Sequence, residues 1–246
     1  MKGIILAGGL ATRLRPLTQV TNKHLLPMYN QPMIYFPLRA MAKAGIKEVL
    51  LTSSPDHAGH FTNLLKAGED FGLRLYYAIQ ANPTGGIANA ILLAREFAND
   101  EKVLVILGDN IFNYDLKKVV TEFEKKPKGA VIFGVELEEN LDQYGIVEMD
   151  KSGKVISIEE KPANPKSNIV QAGIYLYDNR VFDFISQLKP SKRGQLEVSD
   201  LNNIYAKEGT LQCHLLDWWI DAGTSHDELH RANKLVYEKT KKGEFK

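Results

Sequence analysis

Cysteine is nearly absent from this 246-residue chain, and Cys213 stands alone. An intrachain disulfide is therefore excluded, and so is a metal centre built on paired thiolates. An excess of either charge is missing too. The 31 Lys and Arg against 30 Asp and Glu leave a formal net charge of +1, which gives no footing for a nucleic-acid surface or an acidic tail. No apolar stretch approaches the ~20 residues of a membrane span, and the N-terminus lacks the charged-then-apolar pattern of a secretion signal. The expected setting is cytoplasmic, with neither nucleic acid nor membrane as partner. With 44% hydrophobic and 25% charged residues the chain reads as an ordinary globular protein, long enough for a substantial core. Any bound anion has to be held by locally placed residues.

What the chain does have is concentrated near its start. An apolar run, Ile4-Ile5-Leu6-Ala7, stops at Gly8-Gly9 and is followed by Thr12-Arg13-Leu14-Arg15 and by Lys23-His24-Leu25-Leu26-Pro27. A buried strand ending in two residues without side chains lets backbone N–H groups turn toward a ligand. A hydroxyl, two guanidinium groups and an ammonium come next, a construction suited to a polyanion such as a nucleoside triphosphate. A tight turn alone would explain the glycines but not the basic residues crowded behind them. No Gly-Lys-Ser/Thr follows at Walker spacing and Gly-x-Gly-x-x-Gly is missing, so neither the P-loop nor the dinucleotide fingerprint applies.

Strand-like runs at 49–52, 73–78, 103–107 and 130–135 alternate with helical spacing over 34–43, 61–66, 88–97 and 116–124. This alternation predicts an α/β fold: a Rossmann-like, mixed but mostly parallel sheet with helices on both faces. Such sheets bind ligands at the carboxyl ends of their strands. Further strands are expected at 146–149, 155–160 and 174–177, helices at 181–188 and 201–207, and a closing helix over 227–241. No linker or repeat interrupts the chain, so one continuous domain is expected.

Several polar groups sit where that sheet would present them. Asp109, in Gly108-Asp109-Asn110, follows the most apolar strand directly. It reads either as a turn or cap residue or as a hard oxygen donor for Mg2+. Asp221 ends the run Trp218-Trp219-Ile220 ahead of Ala222-Gly223-Thr224 and has the same two readings, the second if paired with Asp109. Gln80 precedes Asn82-Pro83-Thr84-Gly85-Gly86. Its donor and acceptor match the N3–H and a carbonyl of a pyrimidine. Glu160-Lys161 reads as a solvated pair or, in a cleft, as a carboxylate for sugar hydroxyls beside an ammonium for phosphate. Tyr144-Gly145 and Ala172-Gly173 would let a sugar ring approach the backbone.

Taken in order and spacing, these segments resemble the sugar-1-phosphate nucleotidylyltransferases, most closely the short-form glucose-1-phosphate thymidylyltransferases among them. The likeness runs over nearly the whole chain and includes Pro32-Met33-Ile34-Tyr35, Gly86-Ile87-Ala88, Glu160-Lys161-Pro162, Lys189-Pro190-Ser191 and Asp221-Ala222-Gly223-Thr224 beside the segments already given. The resemblance implies a nucleotide site made of Leu6, Ala7, Gly8, Gly9, Ala11, Thr12, Arg13, Lys23, Gln80, Pro83, Gly85, Gly86 and Asp109. Within it Gly8, Thr12, Arg13 and Lys23 hold the triphosphate, and Gln80 and Gly86 contact the base. It implies Mg2+ on Asp109 and Asp221, and a sugar-phosphate site of Asn110, Tyr144, Gly145, Glu160, Lys161, Val170 and Gly173. Arg13, Lys23, Lys161 and Asp109 form the implied catalytic set. The nucleotide part spans about 1–135, the sugar part about 136–224, and a C-terminal helix occupies 225–246.

The implied reaction is in-line attack of a glucose-1-phosphate oxygen on the α-phosphorus of dTTP, giving dTDP-glucose and pyrophosphate. Its nucleophile is already an anion, so the site has to supply charge neutralisation and alignment, and no general base. Two departures stand out. Ala11 replaces a glycine frequent in the family loop, and its methyl costs about 1 kcal/mol if that residue needs positive φ. Gln195 stands where many relatives carry Glu. A UTP-using or relaxed enzyme would keep the same residues, because Gln80 pairs with uracil and thymine alike. A non-catalytic sugar-nucleotide-binding regulatory subunit would be expected to lose a metal carboxylate or the loop arginine, and Asp109, Asp221 and Arg13 all stand. The resemblance implies a homotetramer or homodimer. Longer relatives carry extra C-terminal helices at an effector site, so weak or differently located end-product feedback is expected here.

Overall fold

The computed structural model describes residues 1–245. The chain opens with β1 (Lys2–Ala7), passes through three short 3-10 turns and pairs β2 (Pro27–Met28) with β3 (Gln31–Pro32). Helix α1 (Tyr35–Lys43) leads to β4 (Glu48–Ser53), and α2 (Ala58–Leu65) to β5 (Arg74–Ile79). The short helices α3 (Ile87–Leu92) and α4 (Arg95–Ala98) precede β6 (Val103–Leu107), β7 (Asn110–Phe112) and α5 (Leu116–Glu124). Then come β8 (Ala130–Glu136), β9 (Gly145–Met149), β10 (Val155–Glu160) and β11 (Ile169–Tyr177). Helices α6 (Val181–Gln187) and α7 (Val198–Lys207), strands β12 (Leu211–Leu215) and β13 (Trp219–Asp221), and α8 (His226–Lys241) complete the order.

Strands β6, β1, β4 and β5 lie side by side and parallel, the arrangement that β/α alternation dictates. Strand β11 runs antiparallel to β6 and carries the remainder of the sheet. β8 follows one edge of β11, with β12 parallel to it beyond. On the other edge β11 changes partner midway: Val170 pairs with Ile146 of β9, whereas Ile174 to Tyr177 pair with β6. Asn110 sits at that change-over. Its Oδ1 accepts from the Gly173 N–H at 2.8 Å and from Trp219 Nε1 at 2.5 Å.

Alternating side chains feed two apolar layers. Ile5, Leu51, Ile106 and Ile174 pack with α1 and α5, while Ile4, Leu50, Val105 and Tyr175 pack with α3, α6 and α7. A third layer joins Ala232 and Val236 of α8 to Met28, Ile111 and Ile220, and so backs the turns after β6 and β13. Among the described residues no helix is long and apolar enough to cross a membrane.

Four of the elements that differ from the expectation bear on the core and the site. The helix placed over 88–97 is broken at Leu93-Ala94. Ala94 closes a tighter turn on Ile91 (N–H to O 3.0 Å), leaving Ala94 and Ala98 in the core and Leu93 in solvent. β11 starts at Ile169 rather than 174, because Gln171 and Gly173 interrupt its apolar run. β12 and β13 were not expected as strands. The first is an edge strand with partly exposed residues, and the second has three residues, too few to show a period.

Candidate active site

Neither carboxylate of interest caps a helix. Ser225 caps α8, its Oγ accepting from the Glu228 N–H at 3.1 Å in a Ser-x-x-Glu pattern. Asp115 caps α5, and a strand, not a helix, follows Asp109. Antiparallel pairing of β7 with β13 sets Asp221 opposite Asn110, and this brings Asp109 and Asp221 together from distant parts of the chain. Lys23 Nζ donates to Asp109 Oδ2. Gly223 makes room for the cluster: a Cβ there would run into Asp109 Oδ2 and stand 2.6 Å from Lys23 Nζ.

Lys23 is held by its neighbours. Asn22 Nδ2 donates to the Ala7 carbonyl at 3.1 Å, which leaves its Oδ1 to accept from the His24 backbone N–H at 2.9 Å and from ring Nδ1 at 2.6 Å. The imidazole fits because residue 108 is glycine; a Cβ there would stand 2.7 Å from His24 Cδ2. Burial, then the Lys23 charge, push His24 down to about 3, so it is neutral at ordinary pH.

The charges are unbalanced. Burial would discharge Lys23, but Asp109 and Asp221 outweigh it and hold the ammonium above its ordinary value. Burial also pushes Asp109 up, yet Lys23 prevails and keeps its carboxyl well below the carboxylate range. Asp221 is left over. Burial, then the Asp109 charge, push it up to about 7. Two buried carboxylates against one ammonium leave a net negative charge on oxygen donors, a set that fits a hard divalent cation.

The loop after β1 presents Ala11 in the left-handed region, at φ 49° and ψ 41°. The position does require the conformation that glycine adopts freely. Ala11→Gly is therefore expected to stabilise the protein by up to about 1 kcal/mol, less the entropy that glycine adds to the unfolded chain. Urea denaturation of the two proteins checks it. Thr12 and Arg13 are exposed beyond Ala11, whereas Leu6 and Ala7 bury their side chains and offer only backbone. Gly8 lies against Gln80, whose Oε1 a Cβ would strike; Gln80 Nε2 donates to the Asn82 carbonyl at 3.1 Å. Gly86, at φ 92°, ties the loop carrying Pro83 and Gly85 to the far wall, since a Cβ there would meet the Leu196 carbonyl at 2.5 Å.

A cleft continues past Asp221 toward β9, β10 and α7, lined among others by Asn110, Tyr144, Gly145, Glu160, Lys161 and Gly173. Asn110 is fully buried and its groups are largely committed, with Nδ2 donating to Asp109 Oδ1 at 3.1 Å. Tyr144 stands edge-on to Trp219, ring centroids 5.6 Å apart. Lys161 has φ 49° and is tied through its N–H to the Tyr144 carbonyl at 3.0 Å. Burial, then the Arg193 charge and a smaller part from Arg13, outweigh the opposing Glu160 carboxylate and leave its ammonium below the ordinary lysine value. Lys161 and Arg193 line this one cleft, and the charge of exposed Arg13 is felt by both Lys161 and Lys23. Arg193 Nη1 also reaches Glu160 Oε1 at 3.4 Å, and Ser199 Oγ donates to Glu160 Oε2 at 2.6 Å.

Val170 buries its side chain in the apolar layer under α1 and α5 and offers the cleft only backbone, while strand alternation turns the next residue, Gln171, into the cleft. Arg193 and Gln171 were both missed. Arg193 was signalled by a basic pair in the turn Ser191-Lys192-Arg193-Gly194, and Gln171 by being the lone polar residue in an apolar run.

A family model described as nucleotidyl transferase matches residues 2–239. The curated glucose-1-phosphate thymidylyltransferase of Neisseria meningitidis serogroup A is 42% identical over 240 residues, 96% of this chain and 82% of that protein. The protein of the same name from Mycobacterium tuberculosis is 39% identical over 237 residues, 95% of this chain and 81% of that one. Among solved structures, a candidate glucose-1-phosphate thymidylyltransferase from Bacillus anthracis in complex with sucrose matches with TM-score 0.90 at 43% identity, over 96% of this chain and 95% of that one. A UDP-glucose pyrophosphorylase complexed with UDP-glucose gives 0.83 at 22% identity, over 97% and 98%, a likeness of fold alone.

Proposed function

We propose that this chain, which belongs to the nucleotidyl transferase family, is a glucose-1-phosphate thymidylyltransferase, joining glucose-1-phosphate to the thymidylyl group of dTTP with release of pyrophosphate. One observation carries the reading: Asp221 of the Lys23–Asp109–Asp221 cluster lines the same cleft as Lys161 and Arg193, and the charge of Arg13 reaches both Lys23 and Lys161. Two anions have to be brought together, and these four cations are placed to neutralise them.

In this reading Arg13 and Lys23 neutralise the triphosphate and hold it along the loop after Gly8. Lys161 and Arg193 take the phosphate of the sugar and keep its oxygen in line with the α-phosphorus. Gln80 turns its amide from Asn82 to the pyrimidine, which Gly85 and Gly86 admit to close range. When bound on Asp109 and Asp221, Mg2+ supplies Lewis-acid neutralisation of phosphate charge. Neutral His24 keeps Lys23 in place and takes no proton.

Pyrophosphate release tests the proposal, with glucose-1-phosphate, Mg2+ and each of dTTP, UTP, CTP, ATP and GTP in parallel. A clear preference for dTTP is the expected result. Equal use of UTP would make the protein a relaxed pyrimidine enzyme. Silence with every nucleotide would sink the catalytic reading.

A further inference from the structure

Beneath the sugar side of the cleft runs a series of polar side chains that the phosphate chemistry does not use. Tyr177 Oη donates to Asn202 Oδ1 at 2.7 Å, and Asn202 Nδ2 donates to Gln171 Oε1 at 2.8 Å. Tyr177 and Asn202 are wholly buried in the apolar layer under α7, and Tyr175 stacks on Tyr177 with ring centroids 5.9 Å apart. Amides in such a layer cost free energy unless every group is paired, and aliphatic side chains would fill the space without that cost. The series has one outlet, Gln171, which is 7% exposed and lies in the cleft wall.

At that outlet the missing side chain of Gly145 leaves a small polar space. Ser199 Oγ, Glu160 Oε2 and Gln171 Nε2 lie 3.0, 3.3 and 3.6 Å from the point a Cβ would occupy. Gln171 Oε1 is committed to Asn202, so the amide turns its N–H groups away from Asn202, one toward the Tyr175 hydroxyl and the other to the cleft, beside a carboxylate that only accepts. Turning the amide over would set two acceptors together, Gln171 Oε1 and Glu160, and would force Asn202 and Tyr177 to turn with it.

We propose that Gln171, aimed by Asn202 and Tyr177, reads one hydroxyl of the sugar ring and so sets which hexose 1-phosphate is accepted; the inference rests on reading this cleft as the sugar-phosphate site. A hydroxyl entering the space beside Gly145 accepts from Gln171 Nε2 and donates to Glu160 Oε2. A deoxy sugar, or an epimer carrying that hydroxyl on the other face, leaves the Gln171 donor short of a partner and Glu160, already bonded by Ser199 and Arg193, one hydrogen bond poorer. Gln171 is neutral, so this selection is separate from the phosphate binding of Lys161 and Arg193. Asn202 is a positioning residue.

The test is a cycle of substrates against variants in the full chain. With dTTP and Mg2+, kcat/KM is measured for glucose-1-phosphate, galactose-1-phosphate and the 2-, 3-, 4- and 6-deoxyglucose-1-phosphates. The proteins compared are the unmodified chain, Gln171→Glu and Gln171→Leu. Gln171→Glu keeps the acceptor for Asn202 Nδ2, which guards against a variant that merely fails to fold. One deoxy analogue is expected to be rejected about tenfold or more by the unmodified chain and hardly at all by either variant. KM for dTTP is expected to stay within about twofold. Asn202→Leu is expected to weaken discrimination against that same analogue while KM for dTTP holds, a pattern that lost packing alone does not produce. Equal penalties for every analogue in all proteins would overturn the role of Gln171 and leave the activity standing. Failure of the unmodified chain to use any hexose 1-phosphate would instead overturn the reading of the cleft.

Discussion

Lys23→Met is expected to cost the ligand-free protein about 3–5 kcal/mol, because it leaves two buried carboxylates facing each other without a cation. The loss should depend on pH. In the unmodified chain Lys23 holds the Asp109 carboxyl below its ordinary 3.8. A depressed carboxyl stabilises the fold above its unfolded value and loses that contribution as pH falls. Without Lys23, burial and Asp221 push Asp109 the other way, and it takes up a proton rather than stay charged. The gap between the two proteins should therefore be present already at pH 4 and widen toward pH 8, as the variant's raised carboxyls are forced to charge. Urea denaturation at the two pH values checks it. An equal loss at both would show that Lys23 acts through the packing of its stem and not through its charge.

Addition of Mg2+ is expected to expel a proton from Asp221. Its carboxyl is raised from 3.8 to about 7, so it contributes stability below pH 4 and loses that contribution as pH climbs to 7. An ion held by the charged carboxylate must displace whatever proton is there, about 0.9 per ion at pH 6 and about 0.1 at pH 8. Apparent affinity should rise about tenfold per pH unit below 7 and flatten above it. Calorimetry in two buffers of different ionisation enthalpy reads the proton count directly. Asp221→Asn should bind the ion weakly with no release, and its turnover should fall about a thousandfold. Proton release that ignores pH between 6 and 8 would place the ion elsewhere.

These two expectations rest on parts of the molecule that were unequally legible in the sequence. The parallel core was open to reading: the runs at 49–52 and 103–107 lie within β4 and β6, and Asp109 follows the latter as its apolar strand announced. The left-handed geometry at Ala11 was likewise implied by the glycine that family loops often carry there. The union of Asp109 with Asp221 was not derivable from local pattern. It needs a three-residue strand, β13, to find β7, and the Trp219–Asn110 bond that locks this register joins residues 109 apart in the chain. Gln171 was lost for a different reason. A strand covered on both faces reads as one apolar run, so the parity that separates Gln171 from the neighbouring Val170 is hidden. Arg193 belongs to a turn whose position over the cleft depends on a backbone bond between Leu196 and Gly85, at 3.0 Å, which no short-range signal reveals.

β11 pairs with β6 at one end and with β9 at the other, so the parallel strands and the strands of the proposed sugar site share a common beam nine residues long. Any swing of the sugar-side strands against the parallel strands would have to shear that beam's own ladder. Adjustment to the incoming nucleotide and sugar falls instead to the spans without strand structure, chiefly 8–22 behind β1 and 80–86 ahead of α3. If both substrates bind as proposed, the distance between the attacking oxygen and the phosphorus would be set by an unbroken piece of backbone, as in a caliper cut from a single bar, and not by the meeting of two separate jaws.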